Sequence, residues 1–188
     1  MNTTTQSDKE ILAALIGPRQ AERLYQGSLA SLLLETASPG AGHEKLFAAQ
    51  EFMRRALREK LGKRESLSRP DLVRDYLRVV FAGKEHEVFV VILLDNKHCL
   101  LEAVELFRGT HNQANVYPRE VVKLALRHNA AAVIFAHNHP SSIAEPSSDD
   151  QMTTQRLKQA LALVGVKVND HFIVAGNICL SFAEKGML

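Results

Sequence analysis

Two histidines two positions apart, His137 and His139, follow an apolar run, and ten residues separate the second from Asp150. Imidazole nitrogens and a carboxylate oxygen are donors that Zn²⁺ takes in catalytic sites, where three protein ligands leave a fourth position for water. Such an ion lowers the pKa of water from about 15.7 toward about 7. The chemistry this pattern suggests is hydrolysis by activated water. Plainer readings use the same residues. Ser147 with an acid three positions later also fits a capping box at a helix start. The histidine pair also suits a polar strand end, and a single aspartate is expected to do only one of the two jobs well. The joint pattern is much rarer than either half and favours the metal.

The elements that must position these groups are legible around them. Ala130 to Ala136 reads as a buried strand. If the strand runs on to His139, residues two apart share a face, and both imidazoles project the same way. Pro140 and Pro146 punctuate a loop long enough to fold back, and Asp150 falls in the first turn of a helix expected over 148–164. There the helix dipole favours the ionised carboxylate, which is the form a cation binds.

His137-Asn138-His139-Pro140, the spacer and Ser147-x-x-Asp150 resemble the signature of the JAMM (MPN+) metallopeptidases. With Tyr117-Pro118-Arg119-Glu120, Ser141 and Pro146-Ser147, the chain is similar to the RadC-like (UPF0758) branch from about Arg69 to Leu188. The resemblance implies an α/β fold of JAMM/MPN, cytidine-deaminase-like type, a mixed β-sheet flanked by helices. It implies Zn²⁺ on His137, His139 and Asp150, and a peptide or isopeptide bond as substrate. It also marks Glu87, aligned through Phe89 and Leu94-Asp95, as the upstream acid that takes a proton from water and returns it to the leaving nitrogen. On strand grammar alone, Glu87 is simply the solvated start of an apolar strand. Ser147 matches the family serine that donates to the carbonyl oxygen. Arg119 also matches and suits either a substrate carboxylate or Glu120. Asp170-His171 matches too, with a structural hydrogen bond favoured over a role orienting a ligand. One departure stands out. Ser142 occupies a position where the branch usually has glycine, which suggests a loop backbone at positive φ.

The remaining sequence supplies the frame. The chain has 188 residues, 46% hydrophobic and 23% charged, enough for one good core and a small second one. Its net charge of +2 makes no case for nucleic acid alone. Cys99 and Cys179 are too few for a disulfide framework, and the zinc-deaminase pattern with Pro-Cys-x-x-Cys is absent. With no apolar leader and no bilayer-length apolar run, a cytoplasmic protein without membrane contact is expected. Residues 1–65 read as a small all-α, helix-hairpin-helix-like domain. Ser7 and Glu10 start a helix that Gly17 ends; Ser28 caps another over 29–35; Gly40-x-Gly42 precedes a third over 43–61 with Leu46, Phe47, Gln50, Met53, Leu57 and Leu61 on its stripe. The basic run Arg54, Arg55, Arg58, Lys60, Lys63, Arg64 is a candidate DNA contact, although a solvated helix face and linker is the commoner explanation. Residues 66–188 form the second domain. It is expected to hold a helix over 70–81, strands over 87–94 and 99–106, a helix after Pro118 with Val121, Leu124, Ala125 and Leu126 inward, two short strands over 166–168 and 172–175, and a last one over 178–182. A DNA-associated protein with a structural or vestigial metal site is the alternative to the hydrolase.

Overall fold

The computed structural model describes residues 6–25, 43–62, 70–108 and 116–188. The helix expected over 29–35, the Gly40-x-Gly42 turn, Lys63, Arg64 and the domain boundary at residue 65 lie outside these residues. In order come helices α1 (Asp8–Ile16), α2 (Pro18–Leu24), α3 (His43–Leu61) and α4 (Pro70–Phe81), then strands β1 (Val88–Leu94) and β2 (Leu100–Arg108). Helix α5 (Pro118–Arg127), strand β3 (Ala132–Asn138), helix α6 (Ser148–Ala162), and strands β4 (Lys167–Ala175) and β5 (Ile178–Ser181) complete the chain.

The strands form one mixed sheet in the order β2-β1-β3-β4-β5. Only β3 and β4 run parallel, joined by the crossover through α6; β1 is antiparallel to both β2 and β3. Strand β1 is buried at every residue, because helices cover both faces of the sheet and leave no side for polar alternation. On one face Val88, Val90, Ile92 and Leu94 pack with Tyr76, Leu77 and Val80 of α4 and Leu61 of α3. On the other, Phe89, Val91 and Leu93 pack with Val121 and Ala125 of α5 and Leu157 and Leu161 of α6. Each such side chain, fully buried, contributes about 1.5–3 kcal/mol. Helix α3 bridges two cores: Leu61 enters the large one, while Leu46 packs on Leu12, Ile16 and Ala21 of α1 and α2.

Four expectations are corrected. Phe47 and Met53 are exposed, because the inward stripe of α3 runs instead through Leu46, Gln50, Leu57 and Leu61; Gln50 turns its amide to the carbonyls of Val79 and Ala82. Leu126 is also exposed. The helix expected over 148–164 ends at Ala162, and Val164, past that end, is exposed too. Finally, 167–175 is one continuous strand and not two short ones. The polar pair Asp170-His171 does not interrupt it because both side chains find partners. Asp170 accepts from the His171 and Ala183 backbone N–H groups at 2.7 and 2.9 Å and from Ser181 Oγ at 2.6 Å. No helix among the described residues is long and apolar enough to cross a membrane.

Candidate metal centre

His137 occupies the C-terminal end of β3, on the face that also carries Val133 and Phe135. Strand pairing continues one residue past the assigned end, since His139 N donates to Val174 O at 2.8 Å. His139 therefore projects to the same side as His137, as the spacing predicts. The loop then returns to the N-terminus of α6, which carries Asp150. This is the carboxyl end of a parallel strand, the usual position for ligands in open α/β sheets.

The three side chains converge. His137 Nε2 lies 3.0 Å from His139 Nε2 and 3.1 Å from Asp150 Oδ1, and His139 Nε2 lies 3.6 Å from Asp150 Oδ2. Two ligands on a tetrahedral zinc, each about 2.0–2.2 Å from the ion, are about 3.3–3.6 Å apart. The observed separations fall within a few tenths of an ångström of that edge length, so this donor set could hold a metal ion.

Asp150 also caps its helix. Its Oδ2 accepts from the Ser147 backbone N–H at 2.8 Å and the Ser147 hydroxyl at 2.6 Å, and its own N–H donates back to Ser147 Oγ at 3.1 Å. The cap does not turn the carboxylate away from the histidines. A carboxylate has two oxygens with about four acceptor sites; Oδ2 closes the cap while Oδ1 faces His137. Burial acts to raise the Asp150 pKa, but hydrogen bonds from His137 and His139 when protonated, and from Ser147, outweigh it and hold the group well below the ordinary carboxylate range. The His139 pKa is raised, chiefly by Asp150 and against the effect of burial, with help from Ile143 O and the charge of Glu87.

Glu87 precedes β1. The ladder pairs Phe89 with His137, so continuing it two residues sets Glu87 beside His139. Glu87 lines a cleft of about 750 Å³ together with His137, His139, Ser147, Asp150, Tyr117 and Arg156. What holds the Glu87 segment is Asn138, to which the sequence reading gave no role. Its Oδ1 accepts from Val88 N at 2.8 Å, and its Nδ2 donates to the carbonyls of His86 at 3.0 Å and Lys84 at 3.5 Å. The residue between the two histidines faces away from them and clamps the neighbouring strand's entry. Buried Thr154 was also missed; it bonds to His171 Nδ1 and Asp150 O, each at 2.6 Å. Its spacing of four from Asp150 and seven from Leu161, one helical stripe, is the signal that marks it as inward. His171 reaches His137 Nδ1 at 2.9 Å, so it touches a candidate ligand as well as serving the strand. Ser142 stands at φ 61°, in the left-handed region that a glycine-to-serine departure suggests. Arg119 is exposed and pairs with Glu120 at 3.0 Å. In the basic run, Arg54 and Arg55 pair with Glu51 and Arg58 with Glu102, at 2.6–2.7 Å.

A mixed sheet with helices on both faces, and a His-His-Asp group at the exit of its parallel strand, defines an α/β domain of the JAB (JAMM/MPN) class. Residues 67–187 match the family model for the RadC-like JAB domain. The UPF0758 protein of Nitrosomonas eutropha is 58% identical over 153 residues, covering 80% of this chain and 68% of the relative. UPF0758 proteins of Aromatoleum aromaticum and Chromobacterium violaceum are 49% and 46% identical, covering 99% and 98% of this chain and 91% and 90% of theirs. The chain belongs to the RadC-like JAB-domain family.

Proposed function

We propose that this chain is a zinc-dependent hydrolase of metallopeptidase type, acting on a peptide or isopeptide bond. The observation that carries the reading is the convergence of two imidazole Nε2 atoms, 3.0 Å apart, on the Asp150 carboxylate, whose Oδ1 lies 3.1 Å from His137 and whose Oδ2 lies 3.6 Å from His139. A nitrogen, nitrogen, oxygen set suits Zn²⁺ best among common ions. His137, His139 and Asp150 would hold it, and it would supply Lewis acidity and an acidified water. Glu87, on the cleft wall beside His139, takes a proton from water and delivers it to the leaving nitrogen. Ser147 borders the same cleft; its hydroxyl proton, now given to Asp150 Oδ2, reaches a substrate carbonyl oxygen on rotation. Tyr117 and Met152, both exposed and lining the cleft, offer an apolar rim for a peptide.

The test has two parts. Metal content is measured by mass spectrometry on protein purified without an affinity metal column, for the parent and for His137→Ala/His139→Ala. About one zinc per chain, absent from the variant, is expected. Peptides and ubiquitin-like conjugates are then screened against the parent and Glu87→Gln, which is expected to keep the metal and lose turnover. No zinc in the parent, and none taken up on addition, sinks the hydrolase reading. The DNA-associated alternative would then be examined by the salt dependence of binding. It has less support, since Arg54, Arg55 and Arg58 are already paired with carboxylates.

A further inference from the structure

Behind the two histidines a buried line of polar groups returns from one candidate ligand to another. His137 Nδ1 meets His171 Nε2 at 2.9 Å, His171 Nδ1 meets Thr154 Oγ1 at 2.6 Å, and Thr154 Oγ1 meets the main-chain oxygen of Asp150 at 2.6 Å. His137, His171 and Thr154 are each at most 1% exposed, so water does not share these bonds. Donors and acceptors can therefore be counted along the line.

A carbonyl oxygen only accepts, so the single hydroxyl proton of Thr154 goes to Asp150 O. Were it to point at His171 instead, two acceptor oxygens would face each other at 2.6 Å with no proton between them. His171 Nδ1 must then be the donor to Thr154. A neutral imidazole has one N–H, so His171 Nε2 carries a lone pair and accepts from His137 Nδ1. The same count leaves His137 Nε2 bare. Burial disfavours a charged imidazolium, so the His171 ring is counted as neutral. The rings of Phe89, Phe135 and Phe182, centred 5.6, 5.9 and 4.8 Å away, supply the apolar wall.

His139 reaches the same state by another route. Its Nδ1 lies 2.7 Å from Ile143 O, an acceptor, so its Nε2 is bare as well. Two lone pairs then face each other at 3.0 Å, an arrangement that suits a shared cation and not an imidazole–imidazole hydrogen bond.

We propose that Thr154 and His171 are positioning residues that lock His137 in its Nδ1–H tautomer, so that Nε2 is held as a bare metal donor and tied through Asp150 to the second arm of the site. The link to metal affinity rests on the zinc site proposed above; the tautomer does not. Without the Thr154 hydroxyl, His171 Nδ1–H loses its acceptor. The line is then free to reverse, with His171 Nε2–H donating to His137 Nδ1 and a proton placed on His137 Nε2, where the metal must bind.

The experiment uses the full-length chain, freed of metal by a chelator and labelled with ¹⁵N-histidine, as parent, Thr154→Val and Thr154→Ser. Valine matches threonine in shape without the hydroxyl; serine restores it. Imidazole ¹⁵N shifts at alkaline pH separate protonated from bare nitrogens, and Zn²⁺ affinity is read by competition with a chromophoric chelator. In the parent and Thr154→Ser, His137 is expected to be protonated at Nδ1 and bare at Nε2. In Thr154→Val that pattern is expected to reverse, and Zn²⁺ affinity to fall about 10–100-fold, the usual effect of losing a ligand's outer partner. A parent with its proton on His137 Nε2 overturns the proposal, whether or not the valine variant folds. So does a folded Thr154→Val with the parental pattern and an affinity within about twofold. A parent that takes up no Zn²⁺ refutes the hydrolase reading instead, and the nitrogen shifts still decide the tautomer.

Discussion

Two helices of this protein begin with the same device. At α1, Ser7 N and Oγ donate to one oxygen of Glu10 at 2.7 and 2.8 Å, and Glu10 N donates to Ser7 Oγ at 3.4 Å. At α6, Ser147 and Asp150 repeat the pattern at 2.8, 2.6 and 3.1 Å. Both serines converge on a single carboxylate oxygen, leaving the other to its surroundings. Around Glu10 those surroundings are solvent and the box is a cap. Around Asp150 the spare Oδ1 faces His137 at 3.1 Å while His139 lies 3.6 Å from the capping Oδ2, and the same box becomes one arm of the candidate metal centre. The lesson is that a cap and a candidate ligand are one piece of local chemistry, separated by what the tertiary fold places beside the carboxylate.

The comparison is broken most decisively by removing charge and keeping shape. Asp150→Asn retains an oxygen able to accept from Ser147, so α6 should remain capped and the chain folded. The ion, however, loses its anionic donor. Zn²⁺ affinity is expected to fall by more than about 100-fold, beyond the loss typical of outer partners, while Glu10→Gln leaves it unchanged. Competition with a chelator, with circular dichroism as the check on folding, measures both. Equal affinity in Asp150→Asn and the parent would mean that Asp150 is only a cap.

Removing the serines sharpens the contrast. Each serine-to-alanine change takes away a helix cap, worth about 1 kcal/mol, and urea denaturation of metal-free protein should show similar losses for Ser7→Ala and Ser147→Ala. Only Ser147→Ala should also weaken Zn²⁺ binding, by about 10-fold, because the freed carboxylate is no longer oriented.

Much of this was legible from residues alone. The unbroken apolar run of β1 announces a strand covered on both faces, and the spacing of His137 and His139 announces a shared side. What local rules do not see is a polar group satisfied from elsewhere in the fold. Asp170-His171 reads as a gap between two strands because the Ser181 hydroxyl and the Thr154 hydroxyl that satisfy it come from other elements. Thr154 is passed over because a helical hydroxyl usually faces solvent. Asn138 reads as filler between ligands, although its amide fixes the backbone on either side of Glu87. That Asp150 can cap its helix with Oδ2 and still present Oδ1 to His137 escapes for the same reason, since sequence spacing does not show how one carboxylate divides its oxygens.

Acid separates the site from the simple cap in a second way. His171 has a lowered pKa, so the unfolded chain binds a proton below about pH 6.5 that the native state refuses. Its stability contribution is therefore present above that value and lost as pH falls, by up to about 1.4 kcal/mol per pH unit. His139 has a raised pKa, and its sign is opposite: its contribution is present below about pH 6.5 and lost as pH rises through the folded value. Removing His139 removes the offset. Metal-free His139→Gln should thus lose stability more steeply than the parent between pH 7 and pH 5, as urea midpoints at three pH values would show. Parallel slopes would contradict the opposed assignments.

The smallest effect lies in the loop that gives Asp150 its histidine neighbours and that Glu10 lacks. Ser142 N donates to His139 O at 3.0 Å in a turn that brings Ile143 O to His139 Nδ1. To make that turn Ser142 adopts φ 61°, which costs a residue with a Cβ about 1–2 kcal/mol. Glycine avoids the cost but loses more freedom on folding, about 0.4–1 kcal/mol. Ser142→Gly is expected to gain about 0.5–1 kcal/mol in urea denaturation, with Zn²⁺ affinity unchanged because the Ile143 carbonyl is still presented. A loss of stability would mean that the Ser142 side chain contributes more to the loop than its backbone costs. A loss of affinity would mean that the strain itself holds Ile143 against His139, and the loop would then belong to the metal centre as fully as the capping box does.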